Sequence, residues 1–332
     1  MSEVRLDSIT KSFGPINALD NVSLTVPDGA FLVLLGPTGA GKTTTLRVIS
    51  GLEKPNLGEV FIDGKSMKGI TPAERNVAMV FQQYSLYPHL TVRENLEFPL
   101  KSPLLNTPKT EIAKLVNKVA ETLQISHKLD NKATALSGGE MQRVSIGRAL
   151  VRKPSVYLMD EPLSSLDAKL RADLRIELKS IHAKNAATTV YVTHDQIEAM
   201  TMATLVGVLD QGKLVQLGSP RDVYEKPVSL YAASRLGQTR INLLPANLFG
   251  YAPEGAKTIG LRPEQINQGD GVETHVVRVE RLGDQTRLHL KLNQHDIVTL
   301  TDVHTTLVPG DMLAINPQNP HFFDAQGARI QS

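Results

Sequence analysis

The chain has 332 residues, 41% hydrophobic and 21% charged, an ordinary balance for a globular protein. At about 100–200 residues per domain it has room for two. Lys+Arg 36 against Asp+Glu 34 leaves a net charge of +2, too even to point to nucleic acid as the main partner. The sequence contains no cysteine, which excludes disulfides and cysteine-ligated zinc or iron–sulfur sites.

In chain order, Val4, Leu6 and Ile9 and then Val22, Leu24 and Val26 alternate with polar neighbours, as half-buried strands do. The first residues carry no basic-then-apolar secretion signal. Pro27-Asp28-Gly29 is a turn signal, and Phe31–Leu35 is a continuous apolar run of a length suited to a strand buried on both faces. No apolar run approaches the roughly 20 residues that span a bilayer. The expectation is therefore a cytosolic protein whose membrane role comes through a partner. Helical stripes follow over Thr110–Gln124, Gln142–Leu150 and Ala168–His182, with strand-like runs at Val156–Met159 and Val190–Val192 between them. This alternation predicts an α/β domain with a largely parallel sheet, residues 1–237. From residue 240 to 332 the texture changes. Short alternating segments, such as Arg287–Leu292 with its leucines on one face, are separated by Gly, Pro, Asn and Asp. They predict a small all-β barrel.

Gly36-Pro37-Thr38-Gly39-Ala40-Gly41-Lys42-Thr43, followed by Thr44, fits a phosphate-binding loop between a buried strand and a helix. The glycines let backbone N–H groups converge on phosphates. Lys42 would reach the β/γ-phosphates, and the Thr43 hydroxyl would ligate Mg²⁺. Val156–Met159 ends in Asp160 and Glu161, which places two carboxylates at the sheet edge where open α/β sheets bind ligands. Asp160 would hold Mg²⁺ and Glu161 would polarise the attacking water. Ser137-Gly138-Gly139-Glu140 precedes another helix; it reads either as a helix cap or as a second anion cradle.

The order of these motifs resembles the ABC ATPase family over residues 1 to about 237, with Leu136-Ser137-Gly138-Gly139-Glu140 similar to its signature. The resemblance implies an α/β P-loop ABC ATPase domain followed by a small OB-like β-barrel regulatory domain. It makes Gln82 the Q-loop glutamine that contacts Mg²⁺ and water, and His194 the switch histidine. Asp167 belongs to a D-loop, and Phe13 stands where an aromatic stacks on adenine. It further implies a homodimer with two ATP molecules sandwiched head to tail, each γ-phosphate meeting Lys42 of one copy and Ser137 and Gly139 of the other. Two transmembrane permeases would dock around Gln82–Glu94, near Tyr84 and Tyr87, on the cytoplasmic face of the inner membrane. An extracytoplasmic solute-binding protein would act indirectly, and no nucleic acid is involved.

Within the family the likeness is to maltose-type and glycerol-phosphate-type importers, carried by 82–92, 162–171, 193–200 and Gly260-Leu261-Arg262-Pro263-Glu264. Sugar uptake is the expectation, with polyamine, iron or sulfate import the alternative. Three departures stand out. Glu140-Met141 replaces a common Gln-Arg, Thr204-Leu205 stands where relatives carry Asp-Arg, and the β domain is shorter than in the maltose importer. Chromosome-maintenance ATPases need long coiled coils, and no sustained heptad run occurs. Translation-associated ATPases carry two heads per chain, and P-loop kinases have no use for Leu136–Gly139.

Overall fold

The first apolar positions yield two long strands, β1 (Val4–Phe13) and β2 (Ile16–Val26), paired antiparallel with a register shift between Leu6 and Ile9. The computed structural model describes residues 2–330 apart from 104 and 106, so Met1, Gln331 and Ser332 of the expected domains lie outside it. The wholly apolar run becomes β3 (Phe31–Leu35), buried at every residue. A glycine-rich loop leads into α1 (Lys42–Ser50). Next come β4 (Leu57–Ile62), β5 (Lys65–Ser66), β6 (Val77–Val80), α2 (Val92–Glu97), α3 (Lys109–Thr122) and α4 (Gly138–Leu150). Then β7 (Val156–Asp160), α5 (Ala168–Asn185), β8 (Thr188–Thr193), α6 (Gln196–Met202), β9 (Leu205–Asp210) and β10 (Lys213–Gly218) complete a first unit, residues 1–220.

Two sheets share its core. The antiparallel sheet runs β2-β1-β4-β5, and the larger runs β10-β9-β3-β8-β7-β6 with every pair parallel except β10–β9. Leu6, Leu24 and Val60 from the first pack with Leu32, Leu34, Leu158 and Val190 from the second. Strands β3, β7 and β8 lie side by side in register, so their C-terminal ends emerge at one edge. That edge receives the phosphate-loop residues, Asp160-Glu161 and His194. Thr204, one of the departures, is used locally: its hydroxyl accepts from the Phe31 N–H at 2.8 Å, at the start of β3.

The second unit, residues 221–332, takes most of α7 (Pro220–Glu225) and all of α8 (Leu230–Arg235). Its strands are β11 (Asn242–Pro245), β12 (Thr258–Leu261), β13 (Ile266–Arg281), β14 (Thr286–Leu292), β15 (His295–Thr301), β16 (Met312–Pro317), β17 (His321–Phe323) and β18 (Arg329–Ile330). They form two antiparallel sheets, β11-β12-β17-β18 and β15-β14-β13-β16, around one core of Leu261, Ile266, Val276, Leu290, Ile297 and Phe322. In β14 the expected face holds: Leu288, Leu290 and Leu292 are buried between half-buried polar residues.

The division differs from the one drawn at 237–240, because two helices that continue the α/β texture belong with the β unit. Arg262, fully buried, is the reason. Its guanidinium donates to the Leu236 carbonyl and, at 3.2 Å, to the Tyr224 carbonyl, and lies 4.0 Å from the Tyr224 ring centroid. A buried cation needs such acceptors, and the helical segment supplies them.

Candidate active site

The loop from Gly36 to Gly41 is shaped by what its glycines avoid. A Cβ at Gly36 would come within 2.6 Å of the Leu209 carbonyl oxygen, and one at Gly41 within 2.5 Å of the Ala18 oxygen. Gly41 caps α1 at φ 100, with no side chain satisfying the first-turn donors and no acidic residue in that turn. The helix therefore presents free N–H groups and the positive end of its dipole, which suits an anion. Thr38 and Gly39 are exposed at the loop tip, whereas Ala40, Gly41 and Lys42 are buried; Pro37, Thr43 and Thr44 lie between.

Lys42 is 5% exposed, and its ammonium donates to the Gly36 and Pro37 carbonyls at 2.9 and 3.0 Å. Glu161 Oε1 lies 3.7 Å away. Burial lowers the Lys42 pKa, against the raising pull of Glu161 and Asp160. Asp160 is also buried; burial raises its pKa, opposed by the hydrogen bond it accepts from Thr43 Oγ1 at 2.9 Å. One hydroxyl beside one carboxylate, open toward the loop, matches Mg²⁺, which is held by few protein ligands plus substrate phosphates. An anion between the helix start and Lys42 would relieve the buried cation. The residues present therefore fit a magnesium-bound nucleoside triphosphate.

Glu161 sits in the left-handed region, at φ 44, a conformation that costs a non-glycine residue about 1–2 kcal/mol. Its neighbours fix it. The Glu161 N–H donates to Val192 O at 3.0 Å, and its carbonyl accepts from Ser164 Oγ at 2.9 Å. His194 Nδ1 lies 3.2 Å from Glu161 Oε2. The strained backbone turns the carboxylate back toward Lys42 and His194. Nothing in the residue types announced this turn.

Other expected residues stand apart from this group. Ser137 is both cap and candidate cradle: its hydroxyl accepts from the Glu140 N–H at 3.4 Å, while Glu140 accepts from the Ser137 N–H at 2.8 Å and is paired with Lys128 at 3.0 Å. A Cβ at Gly139 would meet Leu170. No hydrogen bond or ion pair among the described residues joins Ser137, Gly138, Gly139 or Glu140 to Lys42 or Glu161. Asp167 caps α5, accepting from Leu170 N at 3.0 Å. Phe13 is 45% exposed at the end of β1, with the Lys11 ammonium 4.7 Å from its ring centroid. Gln82 is exposed in the loop after β6.

Sequence reasoning overlooked the ties that hold these loops. The Tyr84 and Ser165 hydroxyls are hydrogen-bonded at 2.9 Å, linking the Gln82 loop to the Asp167 loop. Arg148 from α4 donates to the Ser85 carbonyl and stacks 4.7 Å from the Tyr87 ring, which also packs on Phe98 at 4.3 Å. Arg171 gathers the Leu163, Ser164 and Leu166 carbonyls. Its place in Asp167–Arg171, one turn into a helix, was the only available signal.

The model described as "ABC transporter" matches residues 19–164, and the model described as "TOBE domain" matches 259–323. The sn-glycerol-3-phosphate import ATP-binding protein UgpC of Ruegeria sp. is 40% identical, over 99% of this chain and 99% of its own. The chain belongs to the ABC transporter ATP-binding family. The maltose/maltodextrin import ATP-binding protein MalK of Escherichia coli K12 is 39% identical over 98% of this chain and 97% of its own. Among solved structures, the dimeric structure of a bacterial ABC transporter cassette superposes with a TM-score of 0.60 at 32% identity, covering 66% of this chain and 99% of that one. A post-hydrolysis state of that cassette, bound to ADP and Pi, gives a TM-score of 0.59 at 33% identity, with the same coverages. This ABC ATPase thus pairs a family cassette with a TOBE domain, residues 259–323, built of antiparallel strands. No helix among its described residues is long and apolar enough to cross a membrane.

Proposed function

We propose that the chain is the ATP-hydrolysing subunit of an importer for a sugar or sugar-derived solute. In this reading it works as a homodimer under two permeases at the cytoplasmic face of the inner membrane. The observation that carries it is the convergence of Lys42, Thr43, Asp160, Glu161 and His194 at one sheet edge. The end-to-end likeness to ATP-binding subunits for sn-glycerol-3-phosphate and maltose/maltodextrin import supports the solute class.

The residues divide the chemistry as follows. Loop N–H groups from Gly39 to Thr44 and the Lys42 ammonium bind the phosphates, and Thr43, Asp160 and Gln82 hold the metal. Bound Mg²⁺ supplies charge neutralisation at the β/γ oxygens. Glu161 takes the proton of the attacking water, and His194 keeps that carboxylate aimed. Phe13 offers its exposed face to the adenine. Ser137, Gly138, Gly139 and Glu140 serve the nucleotide held by a second copy, which accords with their separation from Lys42 in a single chain.

The test is co-purification with two multi-span permeases, followed by ATP-driven uptake in vesicles with a panel of sugars, polyols, polyamines, ferric iron and sulfate. Uptake of a sugar or polyol phosphate alone is the expected result. Uptake of a polyamine, iron or sulfate instead would remove the solute class and leave the ATPase assignment standing.

A further inference from the structure

Three ammonium groups ring an acid-free hollow in the cassette, away from the residues assigned to the nucleotide. The hollow, about 630 Å³, lies between α3, the C-terminal ends of α4 and α5, and the start of β7. Small-molecule sites span about 300–1,000 Å³. Leu115, Val119, Leu150 and Ile181 form apolar walls, and a small void beneath, bounded by Phe31 and His182, continues them inward. Lys118, Lys153 and Lys184 stand at the rim, with no Asp or Glu in the lining. None of the three ammoniums makes an ion pair or hydrogen bond among the described residues. Asp173 and Glu177 line a neighbouring hollow, and Glu177 is already paired with Arg143 at 2.5 Å.

Tyr157 adds a directional group. It lines both spaces, is 6% exposed, and burial pushes its hydroxyl up to about 12, so it is a neutral donor. That hydroxyl has no partner among the described residues. Three unpaired cations facing one cavity repel one another, and a positive cleft with low-dielectric walls concentrates anions.

We propose that this hollow binds a small organic anion: a carboxylate or phosphate carried on a flat or branched apolar body. The charged group lies among Lys118, Lys153 and Lys184, the body on the leucine and isoleucine walls, and an acceptor atom at the Tyr157 hydroxyl. Cations find no complement in this lining, which holds no acidic residue. The location gives occupancy a route to the chemistry. α4 begins at the Ser137 cap, β7 ends at Asp160, and α5 begins at the Asp167 cap.

The probe is anilinonaphthalene sulfonate, titrated by fluorescence into the full chain with saturating Mg-ATP filling the nucleotide site. One saturable site is expected, displaced by benzoate or phenyl phosphate and not by benzylamine; the better competitor identifies the anionic group. The triple variant Lys118→Gln, Lys153→Gln, Lys184→Gln should bind about tenfold more weakly, as expected for losing three exposed charge interactions. Its KM for ATP should not change, and its melting temperature should not fall, since the substitutions relieve mutual repulsion. Leu115→Trp, which fills the hollow and keeps the lysines, should abolish binding. Absence of a saturable site, or full affinity in either variant, overturns the proposal.

Discussion

Lys42 and Glu161 are 3.7 Å apart in a half-dry pocket, an ion pair whose two members are proposed to serve different steps. Lys42→Ala deletes the only cation within the loop. Losing one preorganised charge-stabilising donor typically costs about 10²–10³ in kcat, and that loss is expected in a steady-state ATPase assay. A kcat within about threefold of wild type, under ~0.7 kcal/mol of barrier, would contradict the role given to the loop. Glu161→Gln keeps shape and hydrogen bonding and removes the base, so hydrolysis should fall by about 10²–10⁴-fold while ATP still binds. Gel filtration with ATP should then show a longer-lived dimer than wild type; an unchanged monomer would count against the sandwich arrangement. The strained backbone at Glu161 makes the position unforgiving, since the Val192 and Ser164 hydrogen bonds fix where any side chain there points.

At the scale of elements, the parts that periodicity can encode were legible. The Ala168–His182 stripe is α5 to within one turn, and Leu288, Leu290 and Leu292 face the β core as alternation required. The setting of residues 36–43, a loop between a buried strand and a helix start, was readable because its glycines are needed for the backbone to pass. What could not be read were interactions between distant positions: Arg262 with Leu236, Arg148 with Ser85, Tyr84 with Ser165. Neither spacing nor residue type encodes a pair formed only when two loops meet. His321 in β17 is a further case. It is 4% exposed with both ring nitrogens unpartnered. Burial, and then the nearby Arg329 and Arg262, push its pKa from 6.5 down to about 4. Below pH 6.5 the unfolded chain takes up a proton that the folded chain refuses until about pH 4. Stability therefore falls as pH drops through that window, by up to ~1.4 kcal/mol per pH unit. His321→Leu should lose about 2 kcal/mol less than wild type between pH 7 and 5 in urea unfolding. Equal losses would show that the imidazole is free to protonate in the folded state.

At the scale of the whole molecule, the residues proposed for catalysis all lie in the first compact unit, and the chain divides between Pro220 and Arg221. This sets where a truncation should cut. A chain ending at Gln238 retains α7 and α8 but lacks Arg262, whose guanidinium holds the Tyr224 and Leu236 carbonyls. It would also lose β17, which supplies Phe323 to the small cluster containing Ala233. Those helices would be left with apolar faces and unpaired carbonyls, so poor solubility and rapid proteolysis are expected of that product. A chain ending at Pro220 removes both helices with the unit they belong to. It should stay folded, bind ATP, and retain part of the hydrolysis. What it should lose is association in the absence of nucleotide, if the β unit is what joins two copies while the ATP sites are open. Sedimentation of the 1–220 chain without nucleotide, beside an ATP-binding assay on the same sample, checks both halves. A folded 1–220 chain that cannot bind ATP would show that residues beyond Pro220 complete the nucleotide site. A resting dimer as strong as that of the full chain would move the contact between copies into the cassette.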